Sequence, residues 1–326
     1  MPGTVNQAGA AAFEVLTMGR VGVDLYPTEV GVPLEEVKRF GRYLGGSATN
    51  VAVAAARLGR RAAVITRTGD DPFGLFVHKA LRGFSVDDRF VAGVPGLPTA
   101  VAFCEMFPPD DFPLWMYSGP HAPYFQILPD ELDTAAISEA EIFWCTATGL
   151  SHEPSRTAHL AAWEARGRNK LSVLDLDYRA VMWESPAEAR RNVHEALSAV
   201  NIAVGNLEEA AVAVGEDDPA RAGRALLELG VELAVIKQGP RGVLAMTPSE
   251  TVSVPTYHVE VVNGLGAGDA FGGAMCHGLL SGWPLEDTMR FSSAAGAIVA
   301  SRLECSSAMP AVVEVLELMT GRPPHD

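Results

Sequence analysis

The residues best suited to chemistry lie near the C-terminal end, where three alternating glycines are followed by an aspartate. Gly264, Gly266 and Gly268 precede Asp269 and a run of small residues typical of a tightly packed helix. Such a loop lets several backbone N–H groups converge at the positive end of a helix, which makes an anion site. The pattern therefore predicts that Gly266, Ala267 and Gly268 hold a phosphoryl group.

Asp269 is the candidate catalytic group of this segment. A carboxylate at a helix start can simply cap the helix, but beside a phosphoryl-binding loop it can accept the proton of an attacking hydroxyl. The loop amides would meanwhile neutralise charge on the transferring oxygens. Two familiar nucleotide motifs are excluded, because the chain has no G-x-x-x-x-G-K-[ST] and Phe271 stands where G-x-G-x-x-G needs its third glycine.

Two further glycine segments are weaker signals. Gly45 and Gly46 stand between an extended stretch and a helical one that contains Asn50. Lys237 to Gly242 lies between two strand-like runs and can form a flat wall along the phosphates and ribose of a nucleotide. Each segment can also be only a tight turn, so neither decides a function alone.

Short β-rich runs alternate with helical runs along most of the chain, starting with a strand predicted over Val15–Asp24. This alternation predicts a parallel sheet covered by helices on both faces, with ligands bound beyond the carboxyl ends of the strands. Two segments, 26–44 and 99–118, break the rhythm. They predict a small second sheet that acts as a lid over the ligand, or else a decorative insertion.

Composition excludes several classes of protein. The 326 residues include 25 basic and 40 acidic side chains, and the net charge of −15 argues against non-specific binding to nucleic acid or anionic membranes. The N-terminal residues do not resemble a signal peptide, and no apolar run approaches the ~20 residues that span a bilayer. Four widely separated cysteines without a C-x-x-C pair predict reduced thiols and a cytoplasmic protein.

Both glycine signatures in this order resemble those of the ribokinase-like sugar kinases, the phosphofructokinase-B family. The similarity runs from about Glu14 to Met319. It implies an α/β fold, a ribokinase-like three-layer sandwich with a mostly parallel central sheet and a small β lid. The kinase domain would then span 13–320, with short tails at 1–12, expected to be disordered, and 321–326.

The resemblance also implies roles for individual residues. The catalytic set is the base Asp269 with the anion hole of Gly266, Ala267 and Gly268. The residues that would bind the sugar are Asp24, Gly45, Gly46, Asn50, Arg179 and Asp269. Those that would bind ATP are Asn206, Lys237, Gly239, Gly242, Gly266 and Gly268. The Asn206-Leu207-Glu208-Glu209 string matches the family motif N-x-x-E, in which Glu209 with Asn206 would organise Mg²⁺.

Within the family, several strings are similar to the kinases that phosphorylate 5-dehydro-2-deoxygluconate in inositol catabolism, among them 19–27, 43–47 and 175–179. Arg179 would bind a substrate carboxylate or the transferred phosphate as a fork, or else form a surface ion pair. The alternatives are a 2-keto-3-deoxygluconate kinase, a kinase for a neutral sugar or nucleoside, and a catalytically silent binding module.

The chain also departs from its relatives. The arginine usual after the second lid hairpin strand is missing, and whether Ser118 or His121 replaces it stays open. Asn263 stands where ribokinases carry an aspartate, and Glu304 replaces a usual glycine, so a requirement for K⁺ also stays open. A homodimer formed through the lid is expected. The lid residues that can supply its apolar surface, or else pack on the chain's own sugar, are Phe103, Met106, Trp115 and Tyr117.

Overall fold

The computed structural model describes residues 12–321. The tails expected at 1–12 and 321–326 therefore lie, except for residues 12 and 321, outside the described residues. The strands are β1 Val15–Met18, β2 Gly22–Pro27, β3 Phe40–Gly45, β4 Ala62–Gly69, β5 Val86–Asp87, β6 Val91–Val94, β7 Val101–Cys104, β8 Leu114–Met116, β9 Ile142–Thr146, β10 Leu171–Asp175, β11 Ile202–Asn206, β12 Leu233–Lys237, β13 Val243–Met246 and β14 Thr251–Val254. The helices are α1 Ser47–Arg57, α2 Pro72–Gly83, α3 Thr134–Glu139, α4 Ser155–Arg166, α5 Pro186–Leu197, α6 Leu207–Val214, α7 Pro219–Glu228, α8 Ala267–Leu280, α9 Leu285–Ala300 and α10 Val312–Thr320.

The main sheet has the order β14-β13-β12-β11-β10-β9-β1-β4-β5, and β6 also pairs with β4. Its strands are parallel except for β13 and β14, which pair antiparallel at one edge. Successive strand residues point to opposite faces, so Phe143 and Cys145 of β9 join one core while Ile142 and Trp144 join the other. Helices α3 to α7 cover the first core, whereas α1, α2, α8 and α9 cover the second. The predicted three-layer α/β fold is confirmed.

A second sheet of four strands has the order β3-β2-β7-β8. It includes the hairpin predicted around 99–118, in which β7 and β8 pair antiparallel. The single strand predicted over Val15–Asp24 is wrong, because β1 ends at Met18 and β2 begins at Gly22 in the other sheet. Gly19, with a φ of +147°, lets the chain leave the main sheet at this point. The second sheet consequently begins before residue 26, and Asp24 belongs to it rather than to the end of β1.

The two faces of the second sheet have different surroundings. Asp24 pairs with Ala102 across the sheet, and Ala102 pairs with Met116, so these three side chains share the face that looks onto the main sheet. The opposite face carries the paired Phe103 and Trp115. Phe103 also packs edge-on against Tyr117, and Trp115 and Tyr117 are 51% and 70% exposed. The fourth apolar residue noted in the sequence, Met106, is buried with Tyr26, Cys104 and Cys305.

All four cysteines are buried and unpaired. Among the helices of residues 12–321, none combines the length and the apolar character that crossing a membrane requires.

Candidate active site

A small cleft lies between the main sheet and the inner face of the second sheet. The carboxyl ends of β1, β9, β10, β11 and β12 meet at one edge of the main sheet because these strands are parallel. The charged side chains that line the cleft are Arg20, Asp24, Arg179 and Asp269, and the polar uncharged ones include Ser47, Asn50 and Ser118. They come from the second sheet, from the starts of α1 and α8, and from the connections that follow β1, β8 and β10.

Asp269 is the third residue of α8, and this helix begins without a side-chain cap. The residue before the helix, Gly266, has a φ of +82°, and a Cβ there would lie 2.8 Å from the Sγ of Cys305. Only glycine fits this position without strain. The first backbone N–H groups of a helix have no intrahelical acceptor, so the start of α8, from Gly266 to Gly268, offers donors and a positive helix end beside the Asp269 carboxyl.

Asn50 on α1 fixes the orientation of the Asp269 carboxyl. Its Nδ2 donates to Asp269 Oδ2 at 2.8 Å, and its Oδ1 lies 2.6 Å from the hydroxyl of Ser306. Burial raises the pKa of Asp269 to about 6, although the bond from Asn50 acts in the opposite direction. The carboxyl is therefore ionised near neutral pH and still basic enough to accept a proton.

Asp24 faces the same cleft from β2. Its carboxyl occupies the space over Gly45, where an added Cβ would lie 2.2 Å from the carboxyl atoms. Gly46 directly precedes α1. Burial raises the pKa of Asp24 to about 7; Arg20 lowers it and Asp269 raises it further. Two carboxyls with raised pKa values thus share one cleft, an arrangement that suits hydrogen bonding to a polyol.

Arg179 follows β10 and forms an ion pair, but not with a surface acid. Its Nε donates at 3.0 Å to Oδ1 of the buried Asp177. Oδ2 of the same carboxylate accepts from Arg20 Nη2 at 3.0 Å and from the Ser47 hydroxyl at 2.8 Å. Although burial alone would raise the pKa of Asp177, the two guanidinium groups lower it to about 2. Sequence reasoning did not assign Asp177 or Arg20 to the site; the signal was an acidic pair, Asp175 and Asp177, directly after a buried strand.

Residues predicted to bind a nucleotide follow the next two strands. Lys237 ends β12, and a Cβ on Gly268 would lie 3.1 Å from its Nζ, so this ammonium group lies against the start of α8. Asn206 ends β11 and is exposed; its Oδ1 accepts from the N–H of Glu209, whose Oε2 accepts from the N–H of Asn206. Gly239 and Gly242 form the turn between β12 and β13. None of these four positions lines the cleft; they lie at the carboxyl ends of β11 and β12 and in the turn that follows β12.

Burial raises the pKa of Asp175 to about 8 and also raises the pKa of Glu209, and Lys237 opposes both shifts. These buried carboxyls lie at the carboxyl ends of β10 and β11. Within residues 12–321 no three His, Cys, Asp or Glu side chains converge to hold a metal by themselves.

Two of the residues that differ from the family pattern, Asn263 and Ser118, form hydrogen bonds with nearby backbone groups. The amide of Asn263 donates to the carbonyl of Leu303 at 2.7 Å and its oxygen accepts from the N–H of Leu265 at 2.8 Å. Ser118 accepts from the backbone N–H of Val101, and His121 is exposed. Ser118 lines the cleft but brings only a neutral hydroxyl, and His121 is not among the lining residues.

Comparison with known proteins decides the family. Residues 12–312 match the family described as pfkB family carbohydrate kinase. The chain belongs to the pfkB family. It is a carbohydrate kinase on that evidence, which confirms the resemblance seen in the sequence.

Curated pfkB relatives cover nearly the whole chain. A 5-dehydro-2-deoxygluconokinase of Shouchella clausii is 33% identical over 317 residues, which is 94% of this chain and 95% of that protein. A protein of the same name from Geobacillus kaustophilus is 31% identical over 310 residues, covering 93% and 92% of the two chains.

Solved pfkB-type structures share the fold. A putative ribokinase II from E. coli, in complex with ATP and Mg²⁺, superposes with a TM-score of 0.87 at 23% identity, covering 95% of this chain and all of that one. A fructokinase from Xylella fastidiosa with bound ATP gives a TM-score of 0.81 at 24% identity, covering 94% and 98%. At this identity the likeness supports the fold and not a substrate.

Proposed function

We propose that this pfkB kinase transfers the γ-phosphoryl group of ATP to the primary hydroxyl of a sugar acid, 5-dehydro-2-deoxygluconate. The observation that carries the proposal is the Asp269 carboxyl, held by Asn50 at the uncapped start of α8 and open to the cleft. The names of relatives at 31–33% identity support the choice of acceptor.

Asp269 would accept the proton of the hydroxyl as its oxygen attacks phosphorus. A pKa of about 6 leaves the carboxylate largely free of protons at neutral pH, as a base requires. The N–H groups of Gly266, Ala267 and Gly268 would donate to the transferring oxygens, whose negative charge they stabilise together with the helix dipole. Phosphoryl transfer depends mainly on this kind of positioning and charge stabilisation.

Lys237 would add a cation to the same anion site, because its Nζ lies against the start of α8. The turn formed by Gly239 and Gly242 would lie along the nucleotide, with Asn206 at the end of the adjacent strand. ATP would thus extend from the start of α8 along the carboxyl ends of β11 and β12, which is where open α/β sheets bind ligands.

The residues at this edge fit Mg²⁺. Asp175 and Glu209 have raised pKa values because they are buried as charges, and a divalent cation nearby would favour their ionised forms. Mg²⁺ commonly takes one or two carboxylates, substrate phosphates and waters, so Glu209, oriented by its reciprocal bonds with Asn206, would hold the ion together with the nucleotide. When bound, it would neutralise phosphate charge.

Asp24, Gly45, Gly46 and Asn50 would bind the sugar hydroxyls from the second sheet and the start of α1. Arg179 would supply a cation to the substrate, since only its Nε is engaged by Asp177 and its side chain is 40% exposed. We further propose that the second sheet, built from 22–45 and 101–116, is the lid. Its exposed aromatic outer face, with Trp115 and Tyr117, would pair with a second copy rather than with the sugar, which lies at the other face.

A neutral sugar is the second candidate acceptor, favoured because the arginine that the resemblance leads us to expect after the second lid hairpin strand is missing. The test is coupled ADP release with 5-dehydro-2-deoxygluconate, 2-keto-3-deoxygluconate, fructose, ribose and adenosine. We expect the highest kcat/KM with 5-dehydro-2-deoxygluconate. Turnover confined to the neutral compounds would reject the sugar-acid assignment, and a preference for 2-keto-3-deoxygluconate would replace it.

A further inference from the structure

Arg20 lies in the segment that joins the two sheets, and its guanidinium group lines the cleft. The side chain is only 9% exposed. Its Nη2 donates to Asp177 Oδ2 and to the Ser47 hydroxyl, each at 3.0 Å, and its Nε donates to Thr148 Oγ1 at 3.2 Å. Three of the five N–H donors are therefore satisfied by protein oxygens.

The remaining nitrogen, Nη1, has no oxygen partner in the described part of the chain. It approaches only the Sδ of Met116 at 3.9 Å, and a thioether is a weak acceptor. A buried donor on a charged group is costly to leave without a good acceptor. Nη1 is thus available to donate to an oxygen of a molecule that enters between Arg20 and the inner face of the second sheet.

The charges around Arg20 favour an anion. One carboxylate, Asp177, is shared by two guanidinium groups, with Arg179 on Oδ1 and Arg20 on Oδ2. This trio carries a net charge of +1. Asp269 and Asp24 line the same cleft; they repel a carboxylate and can accept hydrogen bonds from hydroxyl groups. The cleft therefore offers a cationic group for a carboxylate and acidic groups for hydroxyls.

Helix α1 contacts both the cationic group and one of the acidic groups. Ser47 contacts the Arg20 guanidinium, and Asn50 contacts the Asp269 carboxyl. Three residues correspond to about 4.5 Å along a helix axis, on one face. An aldonic acid of six carbons carries its carboxylate at C1 and its primary hydroxyl at C6. Such a chain can place its hydroxyl at Asp269 only if its carboxylate lies away from that residue.

We propose that Arg20 Nη1 receives the carboxylate of the acceptor sugar acid and so selects acids over neutral sugars. This assignment rests on the proposed function, whose substrate class it explains. Arg20 supplies this cation from the connection between the two sheets, and Arg179 adds a second one from the loop after β10.

The test compares 5-dehydro-2-deoxygluconate with its C1 carboxamide, which keeps the shape and loses the charge. The readout is the ratio of kcat/KM for acid over amide. A hydrogen bond between charged groups contributes about 1.5–3 kcal/mol, so Arg20→Gln is expected to lower this ratio about 10- to 150-fold. Arg67→Gln is the control: Arg67 is also buried and paired, with Glu131, but lies outside the cleft, and the ratio should stay at the wild-type value.

A second variant covers the case in which Arg20→Gln fails to fold. Met116→Glu would place a carboxylate against Nη1 with Arg20 intact, and it should lower the same ratio by occupying the donors. If Arg20 only supports Asp177 and Ser47, both substrates would lose activity equally and the ratio would not move, which overturns the proposal. A wild-type enzyme that turns over only neutral sugars would instead overturn the proposed function.

Discussion

Replacement of Asp269 by asparagine separates catalysis from stability. The amide has the size of the carboxyl, and its oxygen can still accept from Asn50 Nδ2, so the local packing is preserved. The side chain can no longer take a proton. General-base catalysis contributes typically 10²–10⁴-fold, so kcat should fall by that factor, which corresponds to about 2.7–5.4 kcal/mol in the barrier.

The same substitution should stabilise the fold. In the folded protein the pKa of Asp269 is raised from 3.8 to about 6. The folded state therefore disfavours the ionised form more than the unfolded chain does. As a result, the free energy of unfolding decreases as pH rises from about 4 to above 6. Removing the charge recovers at most about 3 kcal/mol at pH 8, at 1.36 kcal/mol per pKa unit. We expect a higher Tm for Asp269→Asn at pH 8 and no gain below pH 3.8.

Asp71 provides a matched control, because its pKa is shifted in the opposite direction to that of Asp269. It caps α2 and accepts bonds from the N–H groups of Phe73, Gly74 and Thr99; these lower its pKa although burial acts to raise it. Asp71→Asn should therefore lower Tm at neutral pH and leave kcat unchanged.

The assay is ADP release coupled to NADH oxidation, with thermal unfolding of the same samples at several pH values. In the wild-type enzyme kcat/KM should rise with pH along a limb with a midpoint near 6, since the base must lose its proton. An Asp269→Asn enzyme that keeps more than about a tenth of the wild-type kcat would refute the assignment of the base, since base removal predicts a loss of at least ~10².

Three further outcomes are expected. Gly266→Ala should fold but lose most activity, because the φ of Gly266 is +82° and the new Cβ would lie 2.8 Å from Cys305 Sγ. The control is Gly59→Ala, with a φ of +85° and no atom within 4 Å of the new Cβ; it should lose only the roughly 1–2 kcal/mol of stability that a left-handed backbone costs, and keep its kcat. Equal activities of the two variants would contradict the loop geometry. The double variant Trp115→Ser with Tyr117→Ser should shift a dimer to monomer in light scattering, whereas a monomeric wild-type protein would reject pairing through the lid. Replacing K⁺ by choline should leave activity unchanged, because the Asn263 amide already binds the Leu303 carbonyl; loss of activity would show that a cation is needed there.

The sequence predicted the main sheet well because buried parallel strands and amphipathic helices differ clearly in period. It failed between Met18 and Gly22, where Gly19 and Arg20 interrupt the apolar residues but every residue is buried. A short interruption of this kind does not distinguish a single strand from two strands in different sheets, and the positive φ of Gly19 is visible only in the structure. A local pattern cannot reveal which sheet a strand joins.

The predicted site residues Asp24, Asn50, Arg179 and Asp269 come together in one cleft, although their roles remain predictions. What spacing could not reveal is the contact between Arg20 and Asp177, which lie 157 residues apart. Such an ion pair depends on the positions of β1 and β10 on either side of β9. The order of strands in a sheet cannot be predicted from the sequence of any single segment.

The crossing between the two sheets has a consequence for how new acceptor sugars arise in evolution. Arg20 is held there by partners from three separate segments, and its own carbonyl accepts from the hydroxyl of Thr49. A mutation at this position disturbs the junction on which the lid is mounted. Arg179 is 40% exposed on a loop and is linked to the junction only through Asp177. Paralogues with altered acceptor preferences should therefore differ at Arg179 before they differ at Arg20.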